Sequence, residues 1–152
     1  MSKADKAKEH FLEGYNCAQS VLLAFADDCG IDKKTAALIS SGFGGGLGRM
    51  REVCGAVNGM CMAASLLFGY STPKAFAEKK ECYAMIQYLA GKFKEKNGSI
   101  VCRELLGLDK KAPTPPTPEQ RTEVYYKKRP CPLLIYDAAE ILENYIEEKS
   151  KG

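Results

Sequence analysis

The sequence predicts an all-α protein, a single compact bundle of about six or seven helices with a glycine-rich loop before its central helix. Three observations predict it. Strand-like alternation is nearly absent, and apolar residues recur at helical spacing. Most periodic stretches are also bracketed by a capping residue in front and a glycine behind.

Ser2 caps a first, lysine-rich helix that runs to about Glu13 and stops at Gly14. Asn16 caps a second, with Val21, Leu22, Phe25 and Cys29 as its apolar stripe and Gly30 as its end. Asp32 opens a short third helix through Ala36, Ala37, Leu38 and Ile39. Gly42-Phe43-Gly44-Gly45-Gly46-Leu47-Gly48 is the least helical stretch of the chain. A fourth helix is expected from about Arg51 to Phe68, with small residues Gly55, Ala56, Gly59, Ala63 and Ala64 on its faces. Thr72-Pro73 reads as cap and first-turn proline of a fifth, whose core stripe is Cys82, Ile86, Leu89 and Phe93. Asn97-Gly98 ends it, and Ser99 caps a short sixth through Leu106. Residues 109–118 form a proline-rich linker in extended geometry, too short to separate two domains. Thr117-Pro118-Glu119-Gln120 has the form of a capping box, and the last helix starts at Pro132 with Leu134, Ala138, Ile141 and Tyr145 inward.

The chain has 152 residues, enough for one domain, residues 1–152, with a sizeable core. A net charge of +3, with no aromatic residues interleaved among basic ones, argues against nucleic acid. The run Lys127-Lys128-Arg129 reads as a solvated helix end. Val53 through Thr72 carries no charge, but Asn58, Ser65, Ser71 and its glycines suit a buried helix better than a membrane span. The first residues contain no apolar stretch, so the expected location is the cytoplasm. Cysteines in a reducing compartment are expected to be catalytic, metal-binding or buried.

Of seven cysteines, four fall at predicted helix starts: Cys17, Cys54, Cys102 and Cys131. The N-terminal end of a helix favours a thiolate, the form that attacks disulfides and binds metals. Arg49 and Arg51 stand near Cys54 and favour the anion further. Cys61 and Cys82 fall in helix bodies and Cys29 at a helix C-terminus, where nothing favours the charge. No Cys-x-x-Cys or Cys-x-x-Cys-His occurs, and the single histidine, His10, lies on a polar helix. The glycine loop is not a phosphate loop, because Leu47 and Arg49 take the places of the required Gly or Lys. Gly44, Gly45 and Gly46 with Arg49 are instead a candidate anion-holding nest for a cofactor.

Asn16-Cys17-Ala18-Gln19, Gly42-Phe43-Gly44-Gly45-Gly46, Cys54-Gly55-Ala56-x-x-Gly59 and the single downstream cysteines at 102 and 131 resemble, in that order, the C_GCAxxG_C_C family. Activity in that family is assigned as redox by inference from four shared cysteines. The resemblance, running from about Gly14 into the last helix, makes Cys17, Cys54, Cys102 and Cys131 the family positions. It also implies kinship with a domain of a split-Soret type of cytochrome associated with an iron–sulfur centre, although this chain lacks a haem-attachment motif.

Three functions follow as expectations. The first is thiol redox chemistry, with Cys17 and Cys54 attacking, Cys102 and Cys131 as partners, and a protein or small thiol or disulfide as electron partner. The second is a four-cysteine site for an iron–sulfur cluster or zinc, with no cofactor as a further alternative. The third is a non-catalytic module in which the Gly55, Gly59 and Ala63 face meets a partner helix, giving a possible homodimer.

Overall fold

A computed structural model describes residues 1–152 apart from the side chain of Lys128, so that part of the basic run lies outside the described residues. Among the described residues the chain forms nine α-helices and no strand; the one pairing of extended backbone is an antiparallel bridge between Val53 and Val101. The fold is all-α, as expected, with more and shorter helices.

α1 spans Lys3–Glu13 with Ser2 as cap, and Gly14 stops it at a φ of 118°. Ala4, Ala7 and Phe11 lie on one face and are buried against α2 and α9. The expected second helix is two. α2 (Cys17–Ala24) ends at Phe25, where φ −109° and ψ 4° leave helical geometry, and α3 (Ala26–Cys29) carries on to a left-handed Gly30. α4 (Lys33–Ser40) is capped by Asp32 and runs into a 3-10 turn over Ser41–Phe43.

The central helix α5 is Gly55–Phe68, starting later than the expected Arg51. Arg51 has a φ of 62°, and the amide of Cys54 donates to the carbonyl of Ile100 at 2.7 Å. Backbone committed to that pairing cannot turn helical until Gly55. α6 (Phe76–Asn97) also starts late, since Thr72-Pro73 is spent on a turn in which the Ala75 amide meets the Thr72 carbonyl. Gly98 ends α6 in the left-handed region.

α7 is only Cys102–Leu105, because Val101 is held extended by the bridge and Ser99 binds the Val101 amide instead of capping a helix. The capping box expected at Thr117 does not form, since the Thr117 carbonyl is taken by Arg49; Thr122 caps α8 (Glu123–Lys128). α9 begins one residue earlier than expected, at Cys131, and runs to Lys151.

α5 is packed by α2, α6 and α9 around Phe25, Met60, Leu89, Phe93, Ile135 and Leu142, all fully buried. Its small-residue face is consumed inside the chain: a Cβ on Gly59 would stand 2.6 Å from the Ala18 carbonyl oxygen. This corrects the expectation that the Gly55, Gly59 and Ala63 face meets a partner helix, because α2 already fills it. α5, with 14 residues, accounts for most of the uncharged stretch, and among the described residues no helix is long and apolar enough to cross a membrane.

Candidate functional site

The four cysteines at helix starts come together. Cys17, Cys54, Cys102 and Cys131 all line one cavity of about 410 Å³ at an end of the bundle, within the size range of small-molecule sites. Each arrives by a different local device. Cys17 is the first residue of α2, set there by a reciprocal cap in which Asn16 accepts the Gln19 amide and Gln19 accepts the Asn16 amide. Cys131 is the first residue of α9, between two prolines. Cys54 is itself the cap of α5, its sulfur facing the amides of Ala56 and Val57. Cys102 opens α7, and its amide donates to the Glu52 carbonyl at 2.6 Å, which ties it beside Cys54.

The glycine loop allows the sulfurs to be close. A Cβ on Gly46, whose φ is 72°, would lie 2.6 Å from the Cβ of Cys102, and one on Gly55 would lie 2.9 Å from that of Cys17. Leu47, Arg49 and Arg51 share the left-handed conformation, which costs a non-glycine residue about 1–2 kcal/mol each. The amides of residues 47–52 offset that cost by donating to carbonyls between Gly42 and Leu47. Those amides are therefore spent inside the loop. Gly44, Gly45, Gly46 and Arg49 all line the cavity, and the charge they bring to it is the Arg49 guanidinium.

Electrostatics separate the four thiols. The neighbouring Cys17 thiol is the strongest influence favouring a Cys131 thiolate, and the charges of Arg129, Arg51 and Arg121 act in the same direction. Together they bring Cys131 down to about 7 despite its burial. Cys17, as donor to that thiolate and buried near it, is pushed well up. The pair thus surrenders one proton near pH 7 and retains the second. Burial pushes Cys54 up to about 12, more than the two amides at its sulfur can offset. Burial also raises Cys102, although Arg51 Nη1 stands 3.7 Å from its sulfur. The expected attackers, Cys17 and Cys54, are thus not the acidic thiols. The dipole argument ignored burial, which outweighs a helix start in the dry interior.

Arg121 was not singled out in the sequence, Glu119 was read only as part of a capping box, and Arg129, read as a solvated helix end, instead turns into the cavity with its side chain 16% exposed. Glu119 bonds Arg129 and faces Arg49 at 3.5 Å and Arg51 at 3.8 Å. The only local signal was Arg129, two residues ahead of Cys131. The proline-rich segment, read as a linker, crosses the mouth of the site, its Pro115 carbonyl accepting from Arg49 at 2.6 Å. His10 lies outside the cavity lining, near Glu13 and Tyr15. Among the described residues no three metal-ligating side chains stand close enough to share one ion.

The family model described as "Putative redox-active protein (C_GCAxxG_C_C)" matches residues 15–145. No curated protein and no solved structure matches.

Proposed function

This chain belongs to the C_GCAxxG_C_C family, and from that premise we propose that it exchanges thiols and disulfides through Cys131 and Cys17. The observation that carries this reading is the convergence of Cys17, Cys54, Cys102 and Cys131 on one cavity lined by arginines, where Cys131 is held acidic and its neighbour Cys17 is not.

The chemistry balances without a further group. The Cys131 thiolate attacks one sulfur of a substrate disulfide, forming a mixed disulfide and expelling the other half as a thiolate, which takes a proton from water in place of the one Cys131 had released there. Cys17, now freed from donating to Cys131, loses its proton and attacks the Cys131 sulfur, releasing the second half as a thiol. The substrate gains two electrons and two protons; the protein is left with a Cys17–Cys131 disulfide, which an external dithiol reduces. Cys54 and Cys102, facing the same cavity with their protons retained, form the reserve dithiol to which that disulfide passes by exchange.

The test is disulfide mapping of protein purified without air and exposed to limiting hydroxyethyl disulfide. The expected first product is a Cys17–Cys131 bond, lost in Cys131→Ser and replaced in Cys17→Ser by a persistent mixed disulfide on Cys131. Failure of the wild-type protein to oxidise would overturn the reading, as would stoichiometric iron or zinc bound through these thiolates in the purified protein.

A further inference from the structure

The charge lining the cysteine cavity is one-sided. Arg49, Arg51, Arg121 and Arg129 contribute four guanidinium groups, against the single carboxylate of Glu119. Counting the Cys131 thiolate as a second anion still leaves two positive charges uncompensated. The three arginines around Glu119 are only 11 to 19% exposed at their side chains, so solvent does little to relieve them. Placing several poorly hydrated guanidiniums around one carboxylate is costly unless a further anion joins them.

Glu119 belongs to none of the helices. It sits at the end of the proline-rich strap, between Pro118 and α8, and its side chain is 44% exposed where the arginines are not. It reaches into the arginine cluster from the solvent side. Arg51 then links that carboxylate to the sulfurs: Nη2 faces Glu119 at 3.8 Å while Nη1 faces the Cys102 sulfur at 3.7 Å. The seat of a carboxylate and the Cys102 sulfur are therefore one guanidinium apart, in a cavity of small-molecule size that Cys131 and Cys17 also line.

We infer that the cavity admits a low-molecular-weight thiol or disulfide bearing a carboxylate, and that Glu119 occupies the place of that carboxylate until the ligand arrives. The inference rests on the thiol–disulfide reading for the sulfur half of the ligand, and on the arginine cluster alone for the anionic half. A ligand carboxylate displaces Glu119 from Arg49, Arg51 and Arg129, and its sulfur is then presented to Cys131. Planar guanidiniums suit this exchange, since each can hold a carboxylate through two parallel N–H bonds.

The experiment is calorimetric titration of the reduced protein with S-methylglutathione, an anionic thioether that cannot exchange disulfides, and with its diethyl ester. Binding of the parent compound and not the ester is expected. Glu119→Gln, which keeps the side chain's shape and removes its charge, should tighten binding about tenfold, the size of one charge-assisted hydrogen bond. Arg129→Gln should weaken it by a similar factor; should that variant fail to fold, Glu119→Gln still decides. Equal binding of acid and ester overturns the inference, as does no binding at all or no effect of Glu119→Gln. Hydroxyethyl disulfide, uncharged, separates the two readings. If it oxidises Cys17 and Cys131 while the thioether fails to bind, only the carboxylate seat falls. If it is inert while the thioether binds tighter to Glu119→Gln, the redox reading falls and the anion cavity stands.

Discussion

The seven cysteines divide into two groups at different places in the bundle, and the contrast shows what turns a buried sulfur into an acidic one. Cys29, Cys61 and Cys82 pack against the apolar core, and around Cys29 and Cys61 the balance opposes the charge. Burial and the Asp28 carboxylate take Cys29 up to about 11, while burial and Cys82 do the same to Cys61. Cys131 is as buried as Cys82, at 8% exposure, yet falls to about 7. Burial is therefore common to both groups. What differs is the neighbouring Cys17 thiol and the positive charge of Arg129, Arg51 and Arg121.

The largest expected difference is in reactivity. At pH 7 Cys131 is about half thiolate and Cys61 about one part in ten thousand. A more basic thiolate is the better nucleophile, which recovers roughly half of that gap on a logarithmic scale. Alkylation by iodoacetamide should thus run about a hundredfold faster at Cys131 than at Cys61. Cys131→Ser should remove the fast phase and Cys61→Ser should leave it intact. A fast phase that survives Cys131→Ser breaks the comparison.

Packing should follow the same division. On Gly46 an added Cβ meets the Cys102 side chain in a left-handed backbone, whereas on Gly91, in the body of α6, it meets open space. Gly46→Ala should cost about 1–3 kcal/mol and disturb the cavity. Gly91→Ala should stabilise by about 0.5–1 kcal/mol, since alanine loses less backbone entropy in a helix. Thermal melting of the two variants reads opposite signs; equal signs would mean that the loop, not the sulfur contact, dominates at Gly46.

These contrasts also mark what was legible in the chain beforehand. Local devices were legible. Ser2, Asn16 and Asp32 as caps, with Gly14, Gly30 and Gly98 as stops, depend on neighbours within a turn, and they fall where the sequence places them. The position of Cys17 followed from Asn16 alone. The late start of α5 was not legible, because Cys54 is held by Ile100 and Cys102 by Glu52, partners some fifty residues apart. Nor was which thiol is acidic, since the acidity of Cys131 comes from Cys17, Arg129, Arg51 and Arg121 converging on it. Periodicity says which face is buried and nothing about which distant guanidinium reaches it.

The hydrogen bond from Cys17 can be isolated by replacing the donor. Cys17→Ala removes the strongest influence holding Cys131 down, leaving burial opposed by the arginines. The pH at which Cys131 alkylation is half-maximal should then climb from about 7 toward the ordinary value of 9. Cys17→Ser, whose hydroxyl still donates, should move it less. If both variants move it equally, the arginines and not the thiol set the acidity.

The smallest effect is on stability, and its sign also distinguishes the two groups. Cys131 has a folded value below its ordinary 9, so its stabilising contribution is complete above pH 9 and is lost as pH falls through about 7. Cys29, Cys54 and Cys61 have folded values of about 11 to 12, so their contribution is complete below pH 9 and is lost as pH rises toward those values. In reduced protein the cysteine contribution to stability should therefore rise from about pH 7 to about pH 9 and fall beyond it. Comparing wild type with Cys131→Ser isolates the rising limb, because all other titrating groups are shared. The difference in melting temperature between them should widen across that interval. A shallower falling limb in Cys54→Ser, with the rising limb kept, would place opposite titrations on two sulfurs of one cavity. A flat difference between wild type and Cys131→Ser would mean that Cys131 carries no thiolate at neutral pH.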